Sequence, residues 1–353
     1  MIAFADIRNA AFALSLTALA ACGGETEASN QAGSPPPVRS LTLGAYTTPR
    51  EVYGQKILPG FAKQWKEKTG EDVKFAESYL GSGAQSRAII DGFEADVAAL
   101  SLEPDITKIA DAKLITRERK DAPNGGMVSR SVVVIGVRPG NPKNIRGWDD
   151  LTRKGVEVLT PNPKTSGGAM WNIVALYGAA LRGGTRATAG DSAAAEAILA
   201  AVVRNVRIMD KGARESMLTF ESGVGDAIIT YENEALVARK AGKAMDYVIP
   251  TSTVLIENPV AVVDVYAEKH GNGDLAQAFV DYLSSPEAQR HYAEYGLRAV
   301  DESVAKETAG TYPPVKDLFT IRDLGGWPQV TKTLFDRGGV FERATSRKMV
   351  AAR

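Results

Sequence analysis

Three short segments of small residues combine backbone freedom with the hydrogen-bond donors that an anion site needs. They are Gly81-Ser82-Gly83, Ser166-Gly167-Gly168-Ala169 and Gly212-Ala213-Arg214, each between a predicted strand and a predicted helix. The first N–H groups of a helix have no intrahelical partner and carry a partial positive charge. One such turn is more often ordinary helix capping. Three in one α/β chain indicate a shared anion site, because open α/β sheets bind ligands beyond the carboxyl ends of their strands.

The titratable side chains form no catalytic pattern. His270 and His291 are the two histidines, and they are far apart on charged helical segments, which disfavours a metal site or histidine-based catalysis. Glu232 and Glu234 are alternate residues where a strand turns into a helix, and capping is the more common role of carboxylates there. Cys22 is the one cysteine, so the mature domain has no disulfide and no thiol nucleophile. We therefore expect no enzyme, no metal and no cofactor.

The N-terminus has the order of a lipoprotein signal peptide. Arg8 precedes an apolar run over residues 10–21 that is too short to span a bilayer, and Leu19-Ala20-Ala21-Cys22 resembles a bacterial lipobox. Removal of residues 1–21 would leave Cys22 as an acylated N-terminus, and each buried methylene of the lipid contributes about 0.8 kcal/mol to anchoring. Residues 22–40 are rich in Gly, Ser and Pro and are expected to be a flexible tether. The sequence thus predicts a periplasmic protein with a lipid anchor.

The balance of charges argues against a nucleic-acid partner. The 353 residues include 42 Lys or Arg and 42 Asp or Glu, whereas nucleic-acid binding usually needs a basic excess that displaces counterions. With 44% hydrophobic residues, the chain is long enough to bury a globular core and to divide into two lobes. Any anion must then be bound by local groups rather than by net charge.

Short apolar strands alternate with amphipathic helices from Leu41 onward. This alternation is typical of an α/β fold whose sheets are covered on both faces. The predicted strands are Leu41–Tyr46, Asp72–Glu77, Asp96–Leu100, Val132–Arg138, Val156–Thr160, Val206–Met209, Asp226–Tyr231 and Val260–Tyr266.

The first helix carries explicit start and stop signals. Thr48 is a candidate N-cap, Pro49 suits the first helical position and Glu51 would complete a capping box. Pro59-Gly60 predicts a kink within the helix. Thr69-Gly70 predicts its end, because glycine adopts the left-handed cap conformation without strain.

The helix-start segments belong to a longer series of motifs that runs from Leu41 to about Phe341. The series comprises Tyr46, Arg50-Glu51, Tyr53, Gly81-Ser82-Gly83, Gln85, Glu94-Ala95-Asp96-Val97, Thr160-Pro161-Asn162-Pro163-Lys164, Ser166-Gly167-Gly168-Ala169, Trp171-Asn172, Gly212-Ala213-Arg214, Glu232-Asn233-Glu234-Ala235, Leu318-Phe319-Thr320-Ile321 and Gly325-Gly326-Trp327. As a set, these motifs resemble the periplasmic sulfate/thiosulfate-binding proteins of ABC importers.

The resemblance implies the type II periplasmic binding fold. In that fold two α/β lobes, each a central mixed sheet flanked by helices, hold the ligand in the cleft between them and close around it. We expect a monomer whose ligand is delivered to an ABC permease and its ATPase. The implied boundaries are residues 41–126 plus 262–312 for lobe 1, 127–261 for lobe 2 with crossings near 126–134 and 250–262, and 313–353 for a C-terminal helical segment that packs across the lobes.

The resemblance also implies which residues bind the anion. The family binds dehydrated sulfate through neutral donors, mostly backbone N–H groups at helix starts. Sulfate is fully deprotonated near neutral pH and only accepts hydrogen bonds, so a site of donors alone favours it over protonated phosphate. Carried over by motif, the donors are the backbones of Thr47, Ser82, Gly167, Gly168 and Ala213 and the hydroxyl of Ser166, with Tyr231 at the ligand and Arg50, Arg214 and Asn233 behind it.

Three positions depart from the family pattern at or beside the implied pocket. Thr47 replaces an Asp, Met170 replaces an Arg, and Tyr231 replaces a Trp whose indole N–H reaches the ligand. A tyrosine hydroxyl also donates, but unlike the indole N–H it accepts as well. The departures are therefore compatible either with an ordinary sulfate site or with a different anion, such as phosphate, molybdate or an organosulfonate.

A third alternative keeps the fold but not the transport role. Gly23, rather than Asp, follows Cys22, which in Gram-negative lipoproteins resembles an outer-membrane address. Such an address suits a sensor or scaffold lipoprotein better than direct delivery to an inner-membrane permease.

Overall fold

The computed structural model describes residues 38–117 and 122–351, and within them ten strands form one mixed sheet. The strands are β1 Val38–Tyr46, β2 Asp72–Leu80, β3 Val97–Ala99, β4 Met127–Val137, β5 Val158–Leu159, β6 Val206–Ile208, β7 Ala227–Tyr231, β8 Asp246–Val248, β9 Ser252–Val262 and β10 Asp317–Phe319.

Helices cover the sheet and connect its strands. In the described residues, Tyr53–Ile57 and Thr331–Phe335 are π-helical turns, and the 3₁₀ turns are Pro123–Gly126, Trp148–Thr152, Ala309–Thr311 and Ile321–Leu324. The α-helices are α1 Arg50–Val52, α2 Leu58–Thr69, α3 Ser82–Ile90, α4 Glu103–Asp111, α5 Gly167–Leu181, α6 Ser192–Asn205, α7 Ala213–Glu221, α8 Glu232–Lys240, α9 Asp264–Lys269, α10 Gly273–Leu283, α11 Pro286–Glu294, α12 Glu302–Glu307, α13 Gly326–Val330 and α14 Val340–Ala351.

Two long antiparallel strands join two groups of parallel strands. The order is β2-β1-β3-β9-β4-β7-β5-β6, with β10 added to β9 and β8 added to β4. The first strand group is β1, β2 and β3, which are parallel, and the second is β5, β6 and β7, also parallel. Strand β9 pairs with β3 through residues 260–262 and with β4 through 255–259, whereas residues 133–137 of β4 pair with β7. Hence β4 and β9 take part in both halves of the sheet.

Each strand group has its own hydrophobic core. Beside the first group, Phe61 of α2 and Phe279 of α10 pack edge to face with ring centroids 5.1 Å apart. Beside the second group, α5 is buried along nearly its whole length, and an apolar helix of this kind must be covered on all sides. Part of that cover comes from the C-terminal residues, because Trp327 packs on Trp171 at 4.8 Å between ring centroids.

The predicted α/β fold is confirmed, and the strand predictions hold with one clear error. Val260–Tyr266 was predicted as a strand, but β9 starts earlier, at Ser252, and ends at Val262. The following residues form helix α9, whose first residue Asp264 accepts hydrogen bonds from the backbone N–H groups of Thr116 and Arg117. A short, mostly apolar segment does not by itself distinguish a buried strand from a buried helix. The short strands β8 and β10 were not predicted.

The first helix ends as predicted but does not begin as predicted. Gly70 caps α2 with a left-handed φ of 79°, which confirms the stop signal. The capping box at Thr48 and Glu51 is wrong, because the cap residue of α1 is Pro49 and no side chain caps it. The irregularity expected at Pro59-Gly60 lies one turn earlier, in the π-helical segment, and Pro59 follows it as the second residue of α2.

The N-terminal predictions lie almost entirely outside the described residues. These are the signal peptide 1–21, the lipidation site Cys22 and most of the tether 22–40. Strand β1 begins at Val38, and Arg39 within it bonds Asp274 at 2.6 Å. In the part of the chain that the structure describes, no helix combines the length and the apolar character that crossing a bilayer requires.

Gly178 provides a test of the packing of the C-terminal residues on α5. A Cβ at Gly178 would lie 2.5 Å from the Phe319 ring and 3.1 Å from Leu324. We expect Gly178→Ala to lower the free energy of unfolding by about 1–3 kcal/mol, as overpacking does. The matched control is Gly54→Ala, where a Cβ meets nothing within 4 Å and a gain of about 0.5–1 kcal/mol is expected. Urea denaturation of both variants measures the difference, and equal stabilities would contradict the packing described.

Candidate anion-binding site

The three small-residue segments are all helix starts, as the sequence predicts. Helix α3 begins at Ser82, α5 at Gly167 and α7 at Ala213, after cap residues Gly81, Ser166 and Gly212. Helix α3 follows β2 of the first strand group, α5 follows β5 of the second group, and α7 follows β6 of the second group. Each offers unpaired N–H groups at its N-terminus.

Direct contacts bring the three helix starts together. The Ala84 N–H in the first turn of α3 donates to the Thr165 carbonyl, which precedes α5, at 3.3 Å. Thr165 Oγ1 in turn donates to the Lys211 carbonyl, which precedes α7, at 2.7 Å. A Cβ at Gly81 would lie 2.5 Å from the Thr165 oxygen and 3.2 Å from the Lys211 oxygen. Only a glycine therefore permits this approach.

The residues predicted to face the ligand gather around Gly168. A Cβ at Gly168 would lie 3.5 Å from Ser166 Oγ, from the Ala213 Cβ and from Cε1 of Tyr231. Next to them, a Cβ at Gly212 would lie 3.7 Å from Thr47 Oγ1. The structure thus assembles the predicted set in one buried place, and every member is at most 9% exposed: Thr47, Ser82, Ser166, Gly167, Gly168, Ala213 and Tyr231.

The two serines of the set differ in how their hydroxyls are used. Ser82 Oγ donates to Asp105 Oδ2 at 2.7 Å and accepts from the Ser101 N–H at 3.0 Å. Its hydroxyl proton is therefore committed, and Ser82 can offer a ligand its backbone N–H. Ser166 Oγ accepts from the Ala169 N–H as a helix cap at 3.3 Å, a bond that leaves its own proton for another acceptor.

Ser101 is a site residue that the sequence reasoning missed. Its hydroxyl bonds the Tyr231 hydroxyl at 2.6 Å, and its carbonyl accepts from Trp171 Nε1 at 2.9 Å and from Asn258 Nδ2 at 3.2 Å. Burial raises the pKa of the Tyr231 phenol well above its usual range, and the hydrogen bond to Ser101 opposes that rise. Tyr231 therefore stays neutral. The available signal was a small polar residue two positions after the buried strand β3.

A partly buried charge cluster lies at the start of α7. Arg214 Nη2 bonds Glu51 Oε2 at 2.6 Å, and its Nη1 lies 3.3 Å from Glu234 Oε2. Burial raises the pKa of the fully buried Glu234, and the Arg214 guanidinium opposes that rise. Arg214 is in the first turn of α7. It therefore links α1, which follows β1 of the first strand group, to α8, which follows β7 of the second.

The other residues predicted behind the ligand are placed differently. Arg50 is exposed, and its guanidinium stacks over Tyr79 at 5.5 Å from the ring centroid. Asn233 is buried in the first turn of α8, next to Gly296. Met170 is half-buried and packs against the core of the second strand group. Of the charged residues considered, Arg214 is thus the one that contacts both sides of the site.

The histidines lie outside this site. His270 bonds Asp96 Oδ1 at 2.8 Å and Glu94 Oε2 at 3.0 Å, and the Asp96 hydrogen bond raises the pKa of His270. His291 lies near Glu294 on α11. Within residues 38–117 and 122–351, no group of three or more His, Cys, Asp or Glu side chains is arranged to bind a metal ion.

The fold and the buried cluster of helix starts define a periplasmic binding protein of type II. A model of the family described as "Bacterial extracellular solute-binding protein" matches residues 54–298. The chain is 44% identical to a sulfate-binding protein of Synechococcus elongatus over 92% of this chain and 91% of that protein. It is 35% identical to a thiosulfate-binding protein of Pseudomonas aeruginosa over 86% and 91% of the two chains. The solved sulfate-binding protein SubI from Mycobacterium tuberculosis superposes with a TM-score of 0.77 at 39% identity, over 84% of this chain and all of that one.

This chain belongs to the bacterial extracellular solute-binding proteins. Members of this family serve ABC importers from outside the cytoplasmic membrane and are not enzymes. The expectation that the chain has no catalytic role is confirmed on that ground.

Replacing Arg214 tests the charge cluster. Arg214→Gln leaves the carboxylate of Glu234 buried without its cation, so the free energy of unfolding should fall by about 3 kcal/mol. Arg50→Gln is the matched control, and an exposed cation should change stability by less than about 1 kcal/mol. Adding Glu234→Gln to Arg214→Gln should recover part of the loss because it removes the unpaired charge. Chemical denaturation measures all three variants, and equal effects at positions 50 and 214 would refute the described role.

Proposed function

We propose that this chain captures sulfate or thiosulfate at the helix starts of α3, α5 and α7 and delivers it to an ABC permease and its ATPase. The observation that carries the proposal is the burial of three helix starts in mutual contact, linked through Gly81, Thr165 and Lys211. The names of the relatives, sulfate-binding and thiosulfate-binding proteins, support this ligand class.

Neutral donors can hold a dianion without a cation beside it. Backbone N–H groups at a helix start carry partial positive charge and are already oriented, so an anion that sheds its water shell gains well-aligned hydrogen bonds. Burial lowers the local dielectric and strengthens each of them. The proposed donors are the backbone N–H groups of Thr47, Ser82, Gly167, Gly168 and Ala213 and the hydroxyls of Ser166 and Tyr231.

Binding is proposed to close two lobes about β4 and β9. We assign residues 41–126 and 262–312 to lobe 1, residues 127–261 to lobe 2 and residues 313–353 to a segment packed on them. Several contacts then cross from lobe 1 to lobe 2. Those at the candidate site, which would break on opening, include Ala84 to Thr165, Glu51 to Arg214 and Ser101 to Tyr231.

The mature protein is proposed to be a monomer attached to a membrane through lipid on Cys22. This assignment rests on the lipobox-like sequence Leu19-Ala20-Ala21-Cys22 and on the tether that follows it. The tether would let the closed form reach the permease.

Calorimetry on the chain without its signal peptide tests the ligand. Sulfate should bind with a Kd in the micromolar range or tighter, and Gly168→Ala should weaken binding at least about tenfold. Its added Cβ fits the protein at 3.5 Å from each neighbour, but it fills space among the proposed donors, which hold the anion at hydrogen-bond distance. Gly54→Ala, in open space, is the control.

Small-angle scattering on the same samples tests closure. The radius of gyration should fall when sulfate is added, because hinge closure brings the lobes together. Identical scattering profiles with and without bound sulfate would argue against the hinge.

The calorimetry has its own contradicting outcome. Sulfate binding by Gly168→Ala at the wild-type affinity would argue against the proposed site.

A further inference from the structure

Two hydroxyl groups meet in the buried site, one from each side. Ser101 follows β3 and Tyr231 ends β7, and the two oxygens are 2.6 Å apart with both residues 1% exposed. They flank the start of α5. A Cβ at Gly167 would lie 2.9 Å from Ser101 Oγ, and a Cβ at Gly168 would lie 3.5 Å from the Tyr231 ring. The hydroxyl pair is thus beside the proposed backbone donors.

Hydrogen bonds fix the backbone of Ser101, whereas either of the two hydroxyls can be the donor in the bond between Ser101 and Tyr231. The Ser101 N–H is used by Ser82 Oγ, and its carbonyl is used by Trp171 and Asn258. Asn258 is itself oriented, because its Oδ1 accepts from Ser129 Oγ at 3.2 Å and its Nδ2 is therefore the donor to Ser101. The Ser101 hydroxyl is held next to Tyr231, but either oxygen can donate in the bond between them.

Two hydroxyls joined by one hydrogen bond can present a ligand with either a donor or an acceptor. If Ser101 donates to Tyr231, the Tyr231 proton is free for an anion oxygen. If Tyr231 donates to Ser101, a lone pair of the Tyr231 oxygen is free to accept a proton from the ligand. A backbone N–H has no such choice, because it only donates.

We propose that the Ser101–Tyr231 hydroxyl pair admits a monoprotonated tetrahedral oxyanion, such as hydrogen phosphate, to the site that binds sulfate, and that Ser101 determines this specificity by acting through Tyr231. The inference rests on the proposed function, because it concerns the same site. With sulfate, Ser101 donates to Tyr231 and Tyr231 donates to the anion. With hydrogen phosphate the order reverses, and Tyr231 accepts the proton of the anion.

Removing the Ser101 hydroxyl should separate the two anions. In Ser101→Ala, Tyr231 still donates to sulfate. To accept from hydrogen phosphate, however, Tyr231 must turn its own proton away from the ligand, where Ser101 no longer accepts it. A buried donor left without an acceptor is costly. Ser101→Ala should therefore increase the ratio of sulfate affinity to hydrogen phosphate affinity at least about tenfold.

The experiment is competition calorimetry on the chain without its signal peptide, with sulfate, hydrogen phosphate and monofluorophosphate. Monofluorophosphate is the matched control ligand, since it is a tetrahedral dianion that has no proton to donate. Wild-type protein should bind all three anions. In Ser101→Ala the sulfate-to-monofluorophosphate ratio should stay within about twofold, whereas the sulfate-to-hydrogen-phosphate ratio rises. Ser101→Thr, which keeps the hydroxyl, should restore the wild-type ratio.

The outcomes distinguish this inference from the function on which it rests. Wild-type protein that binds sulfate and monofluorophosphate but not millimolar hydrogen phosphate would overturn the inference alone. Equal weakening of all three anions in Ser101→Ala would show that Ser101 has a structural role, and would overturn it as well. Wild-type protein that binds none of the three would overturn the proposed function together with the inference.

Discussion

The close approach of three helix starts is the constraint on which the remaining structure depends. Backbone groups can meet a ligand directly only where no side chain stands between them, and at Gly81 a Cβ would collide with the Thr165 carbonyl. The same holds at Gly167, whose Cβ would lie 2.9 Å from Ser101 and Leu102. Glycine loses more conformational entropy on folding than any other residue, but at these two positions the close approach leaves no room for a side chain. The surrounding fold must then hold the starts of three separate helices in contact.

The sheet topology meets that requirement with two strands. Because β4 and β9 pair with each other and each also pairs with one strand group, the two halves share a hydrogen-bonded connection, and each has its own main core. The helix starts of α3, α5 and α7 follow the carboxyl ends of parallel strands, which is where open α/β sheets bind ligands.

The distribution of charge follows from the same constraint. The residues gathered around Gly168 are neutral, whereas the full charges of Arg214, Glu51 and Glu234 pair with one another behind them. A buried ion pair is a weak source of stability, but its geometry is specific. Here it joins segments on the two sides of the candidate site, so the charges contribute to the alignment of the two halves. The hydroxyl pair of Ser101 and Tyr231 spans the same boundary.

The sequence alone determined the α/β alternation, the three helix starts and the end of α2 at Gly70, because glycines, serines and apolar periodicity act within a few residues of the chain. It also carried the motifs that place the chain among solute-binding proteins. The tertiary structure decided the rest. Glu51 bonds Arg214 rather than capping α1, residues after Val262 form α9, and Ser101 meets Tyr231 across 130 positions of sequence. Such contacts depend on which strands become neighbours, and that is a property of the whole sheet that no local pattern encodes.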